Sequence, residues 1–274
     1  MFSFHSEQVT AHIRRIYGFS EEQMYLIEGN DRAALIDTGT GIGNLKEYVE
    51  RFTDKDVIVI LTHGHLDHAL GAEPFGTVYM NHQDDEVYER HRQPEYRELY
   101  YRMMPGYGDL EPEDYSAAMD IGRALDLADG QIFDLGGLTL EIVACPGHTP
   151  GSMTVLVREE RILIAGDACN PFTFLFFPEA LSLGDYKDVL IKYRERVAGK
   201  YDRVLFSHGV VEGPADDIID NVIEACEIAR RGDAANIPVA FADGTTGMVA
   251  KAVNGQFMDA EGKYGNVVFN PEKM

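Results

Sequence analysis

The chain has 274 residues, with 46 acidic against 24 basic side chains for a formal charge of −22, 45% hydrophobic residues and three cysteines. That length fits one large domain or two small ones at roughly 150 residues each, and it allows a substantial core. The composition excludes a disordered, collagenous or disulfide-dense chain, the acidic field disfavours nucleic acid or an anionic membrane as a partner, and no apolar run approaches the roughly 18 residues of a spanning helix.

Strand-like and helix-like segments alternate from the start. The opening MFSFHSEQVT has neither a basic head nor an apolar stretch, so no secretory leader is expected. Residues 9–17 and 24–28 read as short strands, and 32–37 (RAALID) as a strand stopped by the turn at 38–41. In 44–52, Leu45, Tyr48, Val49 and Phe52 recur at helical spacing behind Asn44, a suitable cap. The β-branched run 57–61 (VIVIL) reads as a buried strand, followed by another at 77–80. Between about 83 and 128 the chain gains Glu, Arg, Tyr and Met and reads as a helical insertion. Strands return at 131–135 and 138–144 around Gly136-Gly137, and at 153–157 and 161–165. Residues 185–197 read as a helix, 203–207 as a strand and 215–231 as an amphipathic helix. The tail, about 237–270, reads as β-hairpins around Asn254-Gly255 and Glu261-Gly262. No repeat or linker divides the chain, so 1–274 is expected to be a single domain.

The chemistry concentrates at 62–71, THGHLDHALG, directly after the buried strand 57–61. His63, His65, Asp67 and His68 crowd into six positions, a costly group to bury without a partner. A divalent cation is the economical one, because neutral imidazole and carboxylate both donate to it. His148, Asp167 and His208 each follow an apolar strand and adjoin a glycine. Strand ends on one rim of a sheet are where layered α/β folds bind ligands. His5, His12, His82 and His91 have no such context and read as surface or packing residues. Cys145, Cys169 and Cys226 form no CxxC pair, and buried, reduced thiols in a cytoplasmic protein are the expectation.

The motif His63-Gly64-His65-Leu66-Asp67-His68, followed by His148, Asp167 and His208, resembles the ligand set of the metallo-β-lactamase superfamily over about residues 9–210. The resemblance implies an αββα sandwich, two mixed sheets with helices on their outer faces, and a dinuclear metal centre. It assigns His63, His65 and His148 to one ion, Asp67, His68 and His208 to the other, and Asp167 to both. Asp37 matches the family's early aspartate, which orients the ligand loop. A plain turn-forming role before Thr38-Gly39 suits Asp37 equally well. Asp167 stands where the main β-lactamase subclass has Cys, and His65 where flavodiiron oxidoreductases have an acid. Asn170 occupies the position of the lactonases' tyrosine. What remains is the bridging-Asp group: glyoxalase-II-like thioesterases, lactonases and several phosphodiesterases.

With five imidazoles, two carboxylates, two divalent ions and a bridging hydroxide, such a site nets about +1, suited to a carbonyl or phosphoryl oxygen that turns anionic. The expected activity is hydrolysis of a small ester, thioester or lactone, with zinc the leading metal and iron or manganese alternatives. Asp67 is expected first as a ligand and secondarily as a proton relay. Asn170, Phe172 and Phe174 are candidate pocket residues, the last two within an aromatic run (172–177) that equally suits core packing. Tyr96, Tyr100, Met103 and Tyr107 form a stripe in the insertion that suits a lid or, more readily, packing. Competing readings are a phosphodiesterase on the same site, a mononuclear-iron persulfide-dioxygenase-like oxidoreductase, and a metal-containing scaffold. The expected partner is a small-molecule substrate, and the short strands and aromatic run are compatible with a homodimer.

Overall fold

The apolar runs become strands in a computed structural model that describes residues 2–210, 212–214, 218–241, 244–255 and 257–274. By its internal contacts the chain divides into two compact units, Met1–Leu140 and Glu141–Met274.

In the first unit, β1 (His5–Gln8), β2 (Ile13–Tyr17), β3 (Gln23–Glu28), β4 (Ala33–Ile36), β5 (Val57–Ile60), β6 (Thr77–Met80) and β7 (Leu125–Asp126) lie side by side in chain order. Pairing is antiparallel from β1 to β4 and parallel from β4 to β7. Parallel strands are covered on both faces, which is why 57–60 is continuously apolar. Helix α1 (Leu45–Val49) starts where the side chain of Asn44 accepts the N–H of Glu47. The one-turn helix α2 (Leu66–Ala69) follows β5.

The insertion holds α3 (Asp85–His91) and α4 (Pro94–Tyr101), then short 3₁₀ turns. Pro94 at the first turn of α4 fixes the break between them, since proline suits a helix start and not its interior. Helix α4 ends at Tyr101, so the aromatic stripe is cut short: Tyr100 is buried, Met103 exposed and Tyr107 in a 3₁₀ turn. Glu89 with Arg92 and Glu98 with Arg102 pair along the outer surface, the solvated face that their alternation suggests.

β8 (Ile132–Asp134) and β9 (Thr139–Ala144) flank the Gly136-Gly137 turn, and the chain passes into the second unit within β9. There β9, β10 (Met153–Val157), β11 (Ile162–Ile164), β13 (Arg203–Leu205) and β14 (Glu212–Pro214) neighbour one another in that order, and β11 runs parallel to β13. Between β11 and β13 come β12 (Thr173–Leu175) and α5 (Leu183–Val197); α6 (Ile218–Arg230) follows β14. Leu183, Tyr186, Leu190 and Tyr193 of α5 share one core with Ile218, Ile219, Val222 and Cys226 of α6. Residues 215–217, the expected first turn of α6, lie outside the described residues.

The tail supplies β15 (Ile237–Ala240), β16 (Thr246–Val249) and β17 (Val267–Phe269), which form a further sheet with β12 in the order β12-β17-β16-β15. The turns at 254–255 and 261–262 fall in the long connection between β16 and β17, because no alternating apolar run flanks them to extend a ladder.

Candidate metal centre

Strand register sets up the first half of the site. Ile36 of β4 stands opposite Ile60 of β5, so Asp37 and Thr62 leave the sheet together. Asp37 has φ +62°, a left-handed conformation that Asp tolerates better than most residues. Its buried carboxylate accepts the Thr62 N–H (2.7 Å), the Thr62 hydroxyl (2.8 Å) and His68 Nδ1 (2.8 Å). The Thr38 N–H and hydroxyl both donate to the His68 carbonyl (2.7 and 3.0 Å). A Cβ at Gly71 would lie 2.2 Å from the Thr38 carbonyl oxygen, so this close approach of loop to loop requires glycine.

These bonds fix tautomers. A carboxylate only accepts, so His68 carries its proton on Nδ1 and turns its lone pair out through Nε2. The Thr62 hydroxyl spends its hydrogen on Asp37 and accepts from His63 Nδ1 at 3.1 Å, which gives His63 the same tautomer. The His63 ring lies 4.7 Å from His65 and 4.0 Å from His68, centre to centre. The N–H of Gly64, between the two imidazoles, is held by Asp84 Oδ2 at 2.9 Å. His91, expected as an ordinary residue, does pack, but it packs on the motif: it stacks on His65 at 4.5 Å and accepts the Leu66 N–H. His5, His12 and His82 are exposed.

Asp67 is half-buried beside a polar network. Tyr100 Oη lies 3.2 Å from Asp67 Oδ2 and 3.1 Å from Ser20 Oγ. Buried Glu22 accepts the Ser20 N–H (2.7 Å), the Ser20 hydroxyl (2.8 Å) and the Thr40 N–H (2.8 Å). Burial, and secondarily the charge of Asp67, raise the Glu22 carboxyl. Burial followed by the charges of Asp67 and Glu22 push the Tyr100 phenol well up, so it stays a protonated donor.

In the second unit, Ile164 of β11 stands opposite Leu205 of parallel β13, and Asp167 and His208 each follow three residues later on the same rim. His148 leaves β9 through the tight 145–152 loop, closed by the Cys145 N–H on the Ser152 carbonyl. His148 Nδ1 donates to the Phe174 carbonyl at 2.7 Å, which again turns Nε2 out as the lone-pair nitrogen. Asp167 Oδ2 lies 3.7 Å from His148 Nε2 and 3.5 Å from His208 Nε2. Donors bound to one tetrahedral ion at about 2.0–2.1 Å stand about 3.3 Å apart, so this is ligand spacing rather than hydrogen-bond spacing. The lone-pair nitrogen of His148 facing a carboxylate oxygen is repelled unless a cation reconciles the two. The donor chemistry of each unit, taken by itself, therefore suits a divalent ion.

Tyr186 of α5 braces this half. A Cβ at Gly147 would meet its ring at 2.1 Å, and its hydroxyl donates to the Ala168 carbonyl at 2.6 Å, so one side chain touches the neighbours of both His148 and Asp167. The Asn170 side chain is spent on the ligand loop: Nδ2 donates to Asp167 Oδ1 (3.2 Å) and Oδ1 accepts the Phe172 N–H (2.8 Å). Half-buried Phe172 and Phe174 pack with Phe176, Phe177, Val249, Val268 and Phe241, and the Phe177 ring lies 6.4 Å from His148. All three cysteines are buried. Burial raises their thiols, that of Cys226 to about 12, the inert state expected of them. No helix among the described residues is long and apolar enough to cross a membrane.

Asp84, Glu22 and Tyr186 are absent from any local motif reading, Thr62 entered only as the residue before His63, and Tyr100 only as part of the insertion's stripe. Except for Thr62, they bond to groups 18 to 33 positions away in sequence, and only tertiary structure shows them there. The Thr directly before His63 was the one readable signal.

A mixed α/β fold with strand-end loops carrying a His/Asp donor set is the architecture of a metal-binding hydrolase. Residues 17–208 match the model of the metallo-beta-lactamase superfamily, and the chain belongs to that family. It is 24% identical over 204 residues to human acyl-coenzyme A thioesterase MBLAC2, covering 68% of this chain and 72% of that protein. It is 23% identical over 203 residues to the hydroxyacylglutathione hydrolase GloC of Haemophilus influenzae, covering 71% and 87%. Among solved structures, a metallo-beta-lactamase from Pontibacter korlensis superposes with a TM-score of 0.59 at 14% identity, over 82% of this chain and 99% of that one. The sec-alkylsulfatase Pisa1 from Pseudomonas sp. superposes at 0.61 with 16% identity; this chain spans 40% of its length. The protein is thus a hydrolase of this superfamily.

Proposed function

We propose that the protein is a dinuclear metallohydrolase that cleaves a small thioester, with esters and lactones as weaker substrates. His63, His65 and His148 hold the first ion, Asp67, His68 and His208 the second, and Asp167 serves both. Zinc is the proposed metal, since histidine and carboxylate donors suit it. The metals, when bound, polarise the scissile carbonyl and supply a water-derived nucleophile at neutral pH. The chain's own work is to fix the ligands. Asp37, Thr62 and the Phe174 carbonyl set the imidazole tautomers, and Asn170 and Tyr186 hold the Asp167 loop. Phe172 and Phe174 are proposed to face the apolar acyl group.

The observation that carries the reading is Asp167 Oδ2 at ligand spacing from both His148 and His208, as a shared carboxylate requires. Thioester chemistry is favoured because the similar curated proteins include an acyl-coenzyme A thioesterase and a hydroxyacylglutathione hydrolase. The test is to load the purified chain with zinc and measure thiol release from acyl-thioesters beside ester, lactone and phosphodiester probes. The expected result is thioester turnover that Asp167→Ala lowers on the order of 10³-fold or more. Turnover confined to phosphodiesters, or a single iron with oxygen uptake on a persulfide, would overturn the reading.

A further inference from the structure

Helix α4 of the insertion reaches the ligand motif through one side chain. Tyr100 is the last residue but one of α4, buried, with its hydroxyl 3.2 Å from Asp67 Oδ2. Its other neighbour, Ser20 Oγ, spends its own hydrogen on Glu22, so Ser20 faces Tyr100 as an acceptor. A phenol has a single proton, and both groups around it accept. Of the two acceptors the carboxylate is the stronger, because a charged acceptor forms the shorter and tighter bond. The scaffold around this geometry is itself hydrogen-bonded. Glu22 is pinned by the backbone N–H groups of Ser20 and Thr40, and Tyr101, the next residue of α4, donates to the Thr40 carbonyl at 2.6 Å. Two adjacent tyrosines thus tie α4 to the same loops, but only Tyr100 touches a candidate ligand.

We propose that Tyr100 is a positioning residue for the second metal: its hydroxyl holds Asp67 Oδ2 so that Asp67 offers Oδ1 to the ion, which makes occupancy of that site depend on the seating of the insertion helix. This rests on the two-metal reading above. Carboxylate ligands are oriented by such outer hydrogen bonds, and their loss weakens metal binding by roughly 10–100-fold.

The test titrates the metal-free, full-length chain with zinc against a chromophoric chelator, for wild type, Tyr100→Phe and Tyr101→Phe. Wild type taking up two ions supports the two-metal reading, whereas uptake of one or none overturns both that reading and this proposal. With two ions bound, Tyr100→Phe is expected to weaken one dissociation constant about tenfold and to leave the other within twofold. Tyr101→Phe, which loses a hydrogen bond of the same network without touching Asp67, is expected to change neither. Unchanged constants in Tyr100→Phe, or equal weakening in both variants, would overturn the proposal while leaving the two-metal reading intact. Should Phe at position 100 impair folding, Ser20→Ala decides the matter. It removes the competing acceptor, so the second ion is expected to bind at least as tightly as in wild type, and a tenfold weakening would overturn the proposal.

Discussion

Asp37 shows how much a single side chain can carry. It takes a left-handed backbone conformation, accepts three hydrogen bonds and points one of its oxygens at His68, a candidate ligand. It stands just past the end of β4 and bonds to Thr62 and His68 of the motif. Asp37→Asn presents an amide whose nitrogen is unable to accept: placed at Oδ1 it loses the Thr62 N–H, and placed at Oδ2 it loses both the Thr62 hydroxyl and His68. The expected outcome is a metal affinity about 10–100-fold weaker, with the fold retained. Competition titration with a chelator measures it, and an affinity within twofold of wild type would refute the role. Asn170 teaches the opposite lesson. Its position suggested a substrate-facing group, yet its amide is engaged on both sides with the Asp167 loop.

At the scale of elements, α5 seats the ligand loops of the second unit. The Gly147 backbone lies directly on the Tyr186 ring. Gly147→Ala forces either the loop or α5 to shift, and overpacking of this kind costs about 1–3 kcal/mol. The expected result is a lower midpoint in denaturant unfolding together with weaker metal uptake. A variant with unchanged midpoint and uptake would show that the contact is slack. Strand β9 supplies a second test through Glu141. Burial raises this carboxyl, but hydrogen bonds from Arg158 (2.9 Å) and Lys200 (3.2 Å) outweigh burial, and its pKa is lowered below the ordinary 4.5. A lowered carboxyl stabilises the folded state above its unfolded pKa and loses that contribution as pH falls through the folded value. Glu141→Gln should therefore destabilise the protein at pH 6–7, and the gap to wild type should close below about pH 4.5. A gap independent of pH would refute the assignment.

For the whole molecule, the charge of −22 is the governing quantity. Self-repulsion of that size opposes the compact state, and salt screens it over a Debye length that shrinks from about 10 Å at 0.1 M to about 3 Å at 1 M. The melting temperature of the metal-free protein is expected to rise with added sodium chloride. A fall, or no change, would mean that local ion pairs such as Arg161 with Asp202 outweigh the global field.

The sequence by itself displayed the candidate donor set, because strand-terminal histidines and aspartates next to glycines form a local pattern that survives without coordinates. It also determined the buried strands, whose continuous β-branched runs admit few other placements. The break between α3 and α4 was written there too, in Pro94, whereas the stripe from Tyr96 to Tyr107 ran past the end of α4 at Tyr101. Tertiary structure alone decided what holds the donors. Asp84 on Gly64, Tyr100 on Asp67 and Tyr186 on two ligand loops are contacts between distant segments. No periodicity encodes such pairs, since a hydrogen bond depends on where the folded backbone brings two groups and not on their separation along the chain.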